Sequence, residues 1–72
     1  MGLGDLPEVL TAQHIASYLH ISRRRVYELF QMSEAAGGIR NFDVGNSKRV
    51  DKQDFIRWME SRKEEKAKSV VS

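Results

Sequence analysis

The chain has 72 residues, with 12 Lys or Arg against 10 Asp or Glu and a formal net charge of +2 at pH 7. It has no cysteine, which excludes disulfides, thiolate zinc sites and cysteine nucleophiles. No apolar run approaches the roughly 18 residues that span a bilayer and the N-terminus lacks a signal-peptide pattern, so we expect one small intracellular domain with no membrane partner.

The first predicted helix follows a segment with little periodicity. Residues 1–9 contain two glycines and the single proline, and we expect a flexible lead-in in which Leu6 or Val9 touches the core. Thr11 is the predicted N-cap of a helix over Ala12–Leu19, whose apolar residues recur on one face.

A tight turn and a second helix are predicted next. Ser22 is a good N-cap for a helix over about residues 23–32. His20 must then end the first helix near the left-handed region, where glycine is the usual residue. Arginines occupy positions 23–25, in the first turn, where the helix macrodipole disfavours positive charge. Stability does not explain that arrangement, whereas an external polyanion would.

The middle of the chain predicts a β-hairpin. Residues 33–38, SEAAGG, close the second helix or extend it by a turn before the glycines break it. Residues 39–44 alternate in polarity, residues 45–47 have turn chemistry, and residues 48–50 return as a second strand. Because a two-stranded ribbon is marginal alone, we expect three side chains to pack against the helices: Phe42, Val44 and Val50.

A third helix completes the predicted domain, which spans residues 10–62. Asp51 is its expected N-cap, and an apolar stripe follows at Phe55, Ile56, Trp58 and Met59. Residues 63–72 form a charged C-terminal tail that continues or frays the helix. The aromatic residues expected in the core are Phe30, Phe42, Phe55 and Trp58.

Positive charge is concentrated in the second helix and the hairpin. Residues 21–50 carry six cationic and three acidic side chains, a net +3, whereas residues 1–20 have a net −2 and residues 51–72 a net +1. Such a basic region within a nearly neutral chain is typical of a nucleic-acid footprint.

Two stretches resemble the excisionase and MerR-like winged helix–turn–helix family. Residues 10–30 read LTAQHIASYLHISRRRVYELF, with the family's Leu-Thr opening, a first helix ending Tyr-Leu, then Ile-Ser and Val-Tyr-x-Leu. Residues 42–59, FDVGNSKRVDKQDFIRWM, resemble the same family's wing and closing helix. One departure is His20, where the family usually has glycine.

The resemblance implies a mainly α winged helix–turn–helix fold, with three helices and a two-stranded wing. It also implies a double-stranded DNA-binding excisionase of a conjugative transposon or prophage, which binds and bends attachment-site DNA to direct integrase-mediated excision. The partners would be DNA, a tyrosine integrase and further copies of the chain on DNA, in the bacterial cytoplasm and associated with the nucleoid when bound. Two alternatives are a small MerR-like transcriptional regulator and the DNA-recognition module of a phage packaging complex.

The second helix supplies the expected major-groove contacts. With its apolar positions turned inward, Arg24, Glu28 and Gln31 lie on the opposite face. Arginine pairs with guanine and glutamine with adenine through two hydrogen bonds, so Arg24 and Gln31 are the expected base contacts. Glu28 would accept from cytosine or hold a neighbouring arginine. The flanking residues, of which the tyrosine could instead pack against neighbours, are expected at phosphates: Arg23, Arg25 and Tyr27.

The hairpin supplies the second expected contact. Its predicted tip carries Asn46, Ser47, Lys48 and Arg49. Arg49 is the better candidate for a minor groove, since narrow A·T-rich grooves attract arginine, and Lys48 is expected at a phosphate. The alternative is that both cations only make an exposed edge strand soluble.

No catalytic or metal site is expected. His14 and His20 are six residues apart without a cluster of carboxylates, so neither histidine predicts a metal site. No set of nucleophile and base is visible either. We therefore expect a protein that is not an enzyme and needs no cofactor.

Overall fold

The computed structural model describes residues 2–71, with side chains described for residues 2–67. Within this range the elements are, in chain order, β1 (Val9–Leu10), α1 (Ala12–Leu19), α2 (Arg23–Gln31), β2 (Phe42–Val44), β3 (Ser47–Asp51) and α3 (Lys52–Val71). Two short 3-10 turns, Leu3–Asp5 and Glu34–Ala36, precede β1 and β2. The predicted fold class is confirmed: the protein is mainly helical, with a helix–turn–helix and a small antiparallel sheet as its wing.

Helix α1 has the predicted bounds and the predicted N-cap. The Thr11 hydroxyl accepts the backbone N–H of His14 at 3.2 Å, and Nδ1 of His14 accepts the Thr11 N–H at 3.0 Å. This is a capping box in which histidine takes the place of the usual Glu or Gln. His14 therefore has a structural role at the start of the helix.

The turn between α1 and α2 has the predicted geometry. His20 lies in the left-handed region, at φ 59° and ψ 44°. The N–H of Ile21 then donates to the carbonyl of Ala16 at 3.0 Å, which closes the end of α1. Helix α2 begins as predicted, because the Ser22 hydroxyl accepts the N–H of Arg25 at 3.2 Å.

We expect His20→Gly to stabilise the protein by about 0.5–1 kcal/mol. The left-handed conformation costs a side-chain-bearing residue about 1–2 kcal/mol, and the greater entropy that glycine loses on folding offsets part of the gain. The imidazole is exposed, so little packing is lost. Urea denaturation measures the difference, with His20→Val as the control that is expected to destabilise. A His20→Gly protein less stable than the wild type would show that the imidazole itself supports the turn.

The connection after α2 follows the first of the two predicted alternatives, because residues 33–38 close the helix and do not extend it. Helix α2 ends at Gln31, and a separate 3-10 turn, Glu34–Ala36, follows instead of an extra helical turn. Ser33 has extended backbone angles, and its hydroxyl caps the new turn by accepting the N–H of Ala36 at 3.2 Å. A serine cap of this kind competes with continuation of the helix, which explains why α2 closes here and is not extended.

The wing contains a third strand that the sequence analysis did not predict. Its strand order is β1-β3-β2, all antiparallel, and Val9 pairs with Asp51 while Phe42 pairs with Arg49. Strand β1 falls in and beside the segment expected to be a lead-in, and two residues are too few to show a period of two. A two-residue turn, Gly45-Asn46, joins β2 to β3. Of these two residues only Gly45 has a positive φ, of 63°, which is typical of a type II′ turn.

The register of the sheet corrects the predicted inward packing of two residues. Val50 is fully buried, as predicted, but Phe42 and Val44 are 45% and 56% exposed. Phe42 pairs with Arg49, the neighbour of Val50, and therefore lies on the other face of the sheet. The same alternation places Val44, opposite Ser47, on that outer face.

The core lies between the helices and the inner face of the sheet. Its central side chain is Phe55, with the ring of Tyr18 edge-on at 5.8 Å and that of Trp58 stacked at 6.1 Å. Trp58 itself is only half-buried. The buried apolar residues are Leu6, Leu10, Ala12, Ile15, Ala16, Val26, Phe30, Ile39, Val50 and Phe55.

Helix α3 begins where predicted and continues through the charged tail. The Asp51 carboxylate accepts the N–H of Gln53 at 2.8 Å, and the Lys52 N–H donates to the carbonyl of Glu8 at 2.9 Å. The helix extends to Val71, and the side chains of residues 60–67 are exposed. In the part of the chain that the structure describes, no helix is both long and apolar enough to cross a membrane.

Candidate nucleic-acid interface

One face of α2 points away from the core. Val26 and Phe30 are buried on the inner face, whereas Arg24 and Gln31 lie on the outer face and are exposed. Among the described side chains, Arg24 makes no ion pair, so its guanidinium is available to an external acceptor. The predicted base contacts therefore share one accessible surface.

A groove lies beside this face, between the start of α1, the start of α2 and the hairpin. Its volume is about 400 Å³. The residues that line it are Thr11, Ala12, Gln13, Arg23, Tyr27, Asn46, Ser47, Lys48 and Arg49. The structure thus brings together the four predicted wing residues and two of the predicted flanking residues of α2. We name this surface the wing groove.

Gln13 is a wing-groove residue that the sequence analysis missed. Its side chain is exposed, and its amide Nε2 donates to Oγ of Ser17, one turn along α1, at 3.0 Å. The signal was its position two residues after the Thr11 cap, in the first turn of α1, because the N-terminus of a helix favours a phosphate. The first turn of α1 also contributes backbone N–H groups to this end of the wing groove, where Thr11, Ala12 and Gln13 line it.

Arg25 and Glu28 lie on the other side of α2. The Arg25 Nη1 is 3.7 Å from the Glu28 Oε1, and the two side chains are 70% and 53% exposed. An ion pair this exposed contributes little to stability. It is the role that the structure records for Glu28, in line with one of the two alternatives considered for it.

Tyr27 takes an intermediate position. Its ring packs edge-on against Phe30 at a centroid distance of 6.0 Å, yet the residue remains 48% exposed. Both expectations for it are thus compatible with the structure, because one edge packs on the core while the rest of the ring lines the wing groove.

The two basic residues of the wing are held within β3, not at its tip. The tip is only Gly45-Asn46, so Lys48 and Arg49 lie opposite Asp43 and Phe42 in the ladder. The Lys48 Nζ is 2.9 Å from Oδ1 of Asp43, and the Arg49 Nη1 donates to the Lys48 carbonyl at 2.9 Å. Asp43 therefore offsets part of the positive charge of the wing.

The arrangement presents cations and hydrogen-bond donors over a continuous surface. Exposed arginines at positions 23, 24 and 25 supply charge along α2, and amide and hydroxyl groups at Gln13, Asn46 and Ser47 supply neutral donors. Such a mixture can bind the phosphate backbone of a nucleic acid while the outer face of α2 approaches the bases in a groove.

Comparison with known proteins agrees with the fold. A family model described as a helix-turn-helix domain matches residues 9–63, a range that contains all the predicted contact residues and all the described sheet. Searches of curated proteins and of solved structures found no match.

Proposed function

The chain belongs to the helix-turn-helix domain family, a DNA-binding fold, and we propose that it is an excisionase, which binds and bends attachment-site DNA and directs integrase-mediated excision. The observation that carries the DNA-binding part of the proposal is the continuous basic surface formed by α2 and the wing groove. Strand cleavage belongs to a tyrosine integrase in this proposal, and the chain itself supplies only binding and bending.

Helix α2 is the element that would enter the major groove. Its nine residues span about 14 Å, and the groove is about 12 Å wide. Arg24 and Gln31 are seven residues apart, which is about 10 Å along the axis, or about three base-pair steps. These two side chains would therefore contact bases at the two ends of a short subsite.

The wing groove would hold the DNA backbone beside that subsite. Arg23 and Tyr27 would bind phosphates on the α2 side, and Lys48 on the wing side. Arg49, Asn46 and Ser47 would face the adjoining minor groove or backbone. The backbone N–H groups at the start of α1, next to Gln13, would add a phosphate contact.

The excisionase role rests on the resemblance of residues 10–30 and 42–59 to the excisionase and MerR-like winged helix–turn–helix family. Bending a short site smoothly costs about 1–6 kcal/mol, which several copies bound to repeated sites would offset. Further copies of the chain and an integrase are therefore the proposed partners on DNA.

A circular-permutation gel shift with DNA from the integrase attachment region tests the role. We expect the mobility of the complex to depend on where the bound site lies in the fragment, because bent DNA migrates most slowly when the bend is central. A bound but unbent complex would count against an excisionase, whereas no complex at low salt would refute DNA binding itself.

The affinity is expected to fall steeply with salt. If about five phosphates are neutralised, the log–log slope of the binding constant should be near −4 to −5. Fluorescence anisotropy over a salt series measures it. Arg57→Gln is a matched control, since Arg57 pairs with Asp54 on α3 and lies outside the wing groove. A slope near −1 would mean that most of the predicted cations do not contact phosphates.

A further inference from the structure

A second hollow lies on the flank of α2 opposite the wing groove. Its volume is about 260 Å³, and it is lined by Arg25, Glu28, Leu29, Met32, Gly37 and Arg62. Helix α3 supplies Arg62, a residue that plays no part in the contacts considered so far. The hollow thus adds a cation from α3 to the side of α2 where Arg25 already lies.

The guanidinium of Arg62 lies close to the backbone of Gly37. Gly37 has a φ of 101°, and a Cβ there would lie 3.1 Å from Nη1 and 3.6 Å from Cζ of Arg62. The guanidinium therefore lies against the glycine. One turn earlier on the same face of α3, the indole N–H of Trp58 donates to the Gly37 carbonyl at 3.0 Å. The contact between Trp58 and Gly37 thus places the α3 face that carries Arg62 beside the flank of α2.

The charges around the hollow favour an anion. Arg25 and Arg62 supply two positive charges and Glu28 one negative charge, and the carboxylate is already 3.7 Å from Arg25. Arg62 makes no ion pair with any other described side chain. An exposed arginine without a carboxylate partner among the described side chains is well suited to a phosphate.

We propose that Arg62 and Arg25 form a second phosphate clamp, on the far flank of α2. A helix with its side chains is about 10–12 Å across and nearly fills a major groove about 12 Å wide, so a DNA strand runs along each of its sides. The wing groove would bind one strand, and the clamp the other. This inference rests on the proposed DNA binding.

Arg62→Gln tests the clamp, because it removes the charge while keeping a polar side chain. We expect binding to weaken about fivefold at 0.15 M salt, for a specific duplex and a scrambled duplex alike, and the salt slope to become shallower by about 0.9. Lys63→Gln, at the next and exposed position of α3, is the matched control and is expected to leave the slope unchanged.

Two further variants keep the test independent of folding. Arg62→Lys retains the charge and should keep the wild-type slope. Arg25→Gln changes a side chain that is 70% exposed, and it should reduce the slope as Arg62→Gln does. If the wild type binds but Arg62→Gln and Arg25→Gln both keep its slope, the clamp is wrong and the proposed function stands. If the wild type binds neither duplex, the proposed function is wrong, and the clamp is wrong with it.

Discussion

Replacing Gly38 with alanine is expected to destabilise the protein by about 3 kcal/mol, the upper part of the range for overpacking. A Cβ at this position would lie 2.1 Å from the carbonyl oxygen of Met32 and 2.7 Å from that of Leu29. Both atoms belong to the backbone, so no side-chain rotation can relieve the clash. The total stability of a small domain is only about 5–15 kcal/mol, which makes this loss severe.

The backbone cannot move away cheaply either. The Gly38 N–H donates to the Ser33 carbonyl at 2.8 Å, and the Ile39 N–H donates to the Leu29 carbonyl at 3.1 Å. Asn41 adds a bond from its amide to the Phe30 carbonyl at 3.0 Å. A shift that made room for a methyl group would break some of these bonds and withdraw the buried Ile39 from the core.

Urea denaturation of Gly38→Ala, compared with Gly4→Ala, measures the effect. Gly4 has no atom within 4 Å of its Cβ position and no positive φ, so its substitution is expected to change the free energy of unfolding by less than about 0.5 kcal/mol. Equal midpoints for Gly38→Ala and the wild type would show that the end of α2 and the segment after it can separate without loss of the fold.

Local chemistry made the helices predictable. A cap needs only one hydroxyl or carboxylate near a free N–H two or three residues further along the chain. The starts of the helices were therefore predictable from Thr11, Ser22 and Asp51. The left-handed conformation of His20 was predictable because Ser22 caps α2, so that α1 has to end at His20. Each of these features depends on neighbours in the chain.

Features that depend on distant residues were not predictable in the same way. Phe42 alternates with polar residues, but the face it takes is set by its pairing with Arg49, next to the buried Val50. The need for glycine at position 38 comes from the close approach of the Leu29 carbonyl in α2 and the Met32 carbonyl just after it. Arg62 joins the flank of α2 only because α3 packs on Gly37 through Trp58.

The candidate site also has one part that was predictable from local sequence and one part that was not. The helical period alone placed Arg24 and Gln31 on one outer face of α2, with Arg23 and Arg25 on its flanks. The distribution of those flanks between two hollows, one with the wing and one with α3, needed the tertiary structure. The sequence therefore predicted which α2 residues are candidates for contact and did not predict what stands beside each of them.

Arg24→Ala is expected to remove base preference at one position of the DNA site. A bidentate pair between arginine and guanine contributes about 1–3 kcal/mol of discrimination, so binding to the preferred duplex should weaken about five- to 150-fold. For duplexes that already carry another base at the contacted position, the affinity should fall only by about as much as the loss of one phosphate contact would cause. Since the side chain is exposed and makes no ion pair within the described residues, folding should be unaffected, and the change belongs to binding.

The control must remove a charge without removing a base contact. Lys48→Ala alone would leave the Asp43 carboxylate unpaired, because the two groups are 2.9 Å apart, and the added repulsion from phosphates would exaggerate the loss. Combining Lys48→Ala with Asp43→Asn avoids that effect. We expect this double variant to weaken binding to every duplex by the same factor and Arg24→Ala to weaken chiefly the preferred one. If both weaken all duplexes equally, Arg24 contacts the backbone, and sequence recognition must come from Gln31 or the wing.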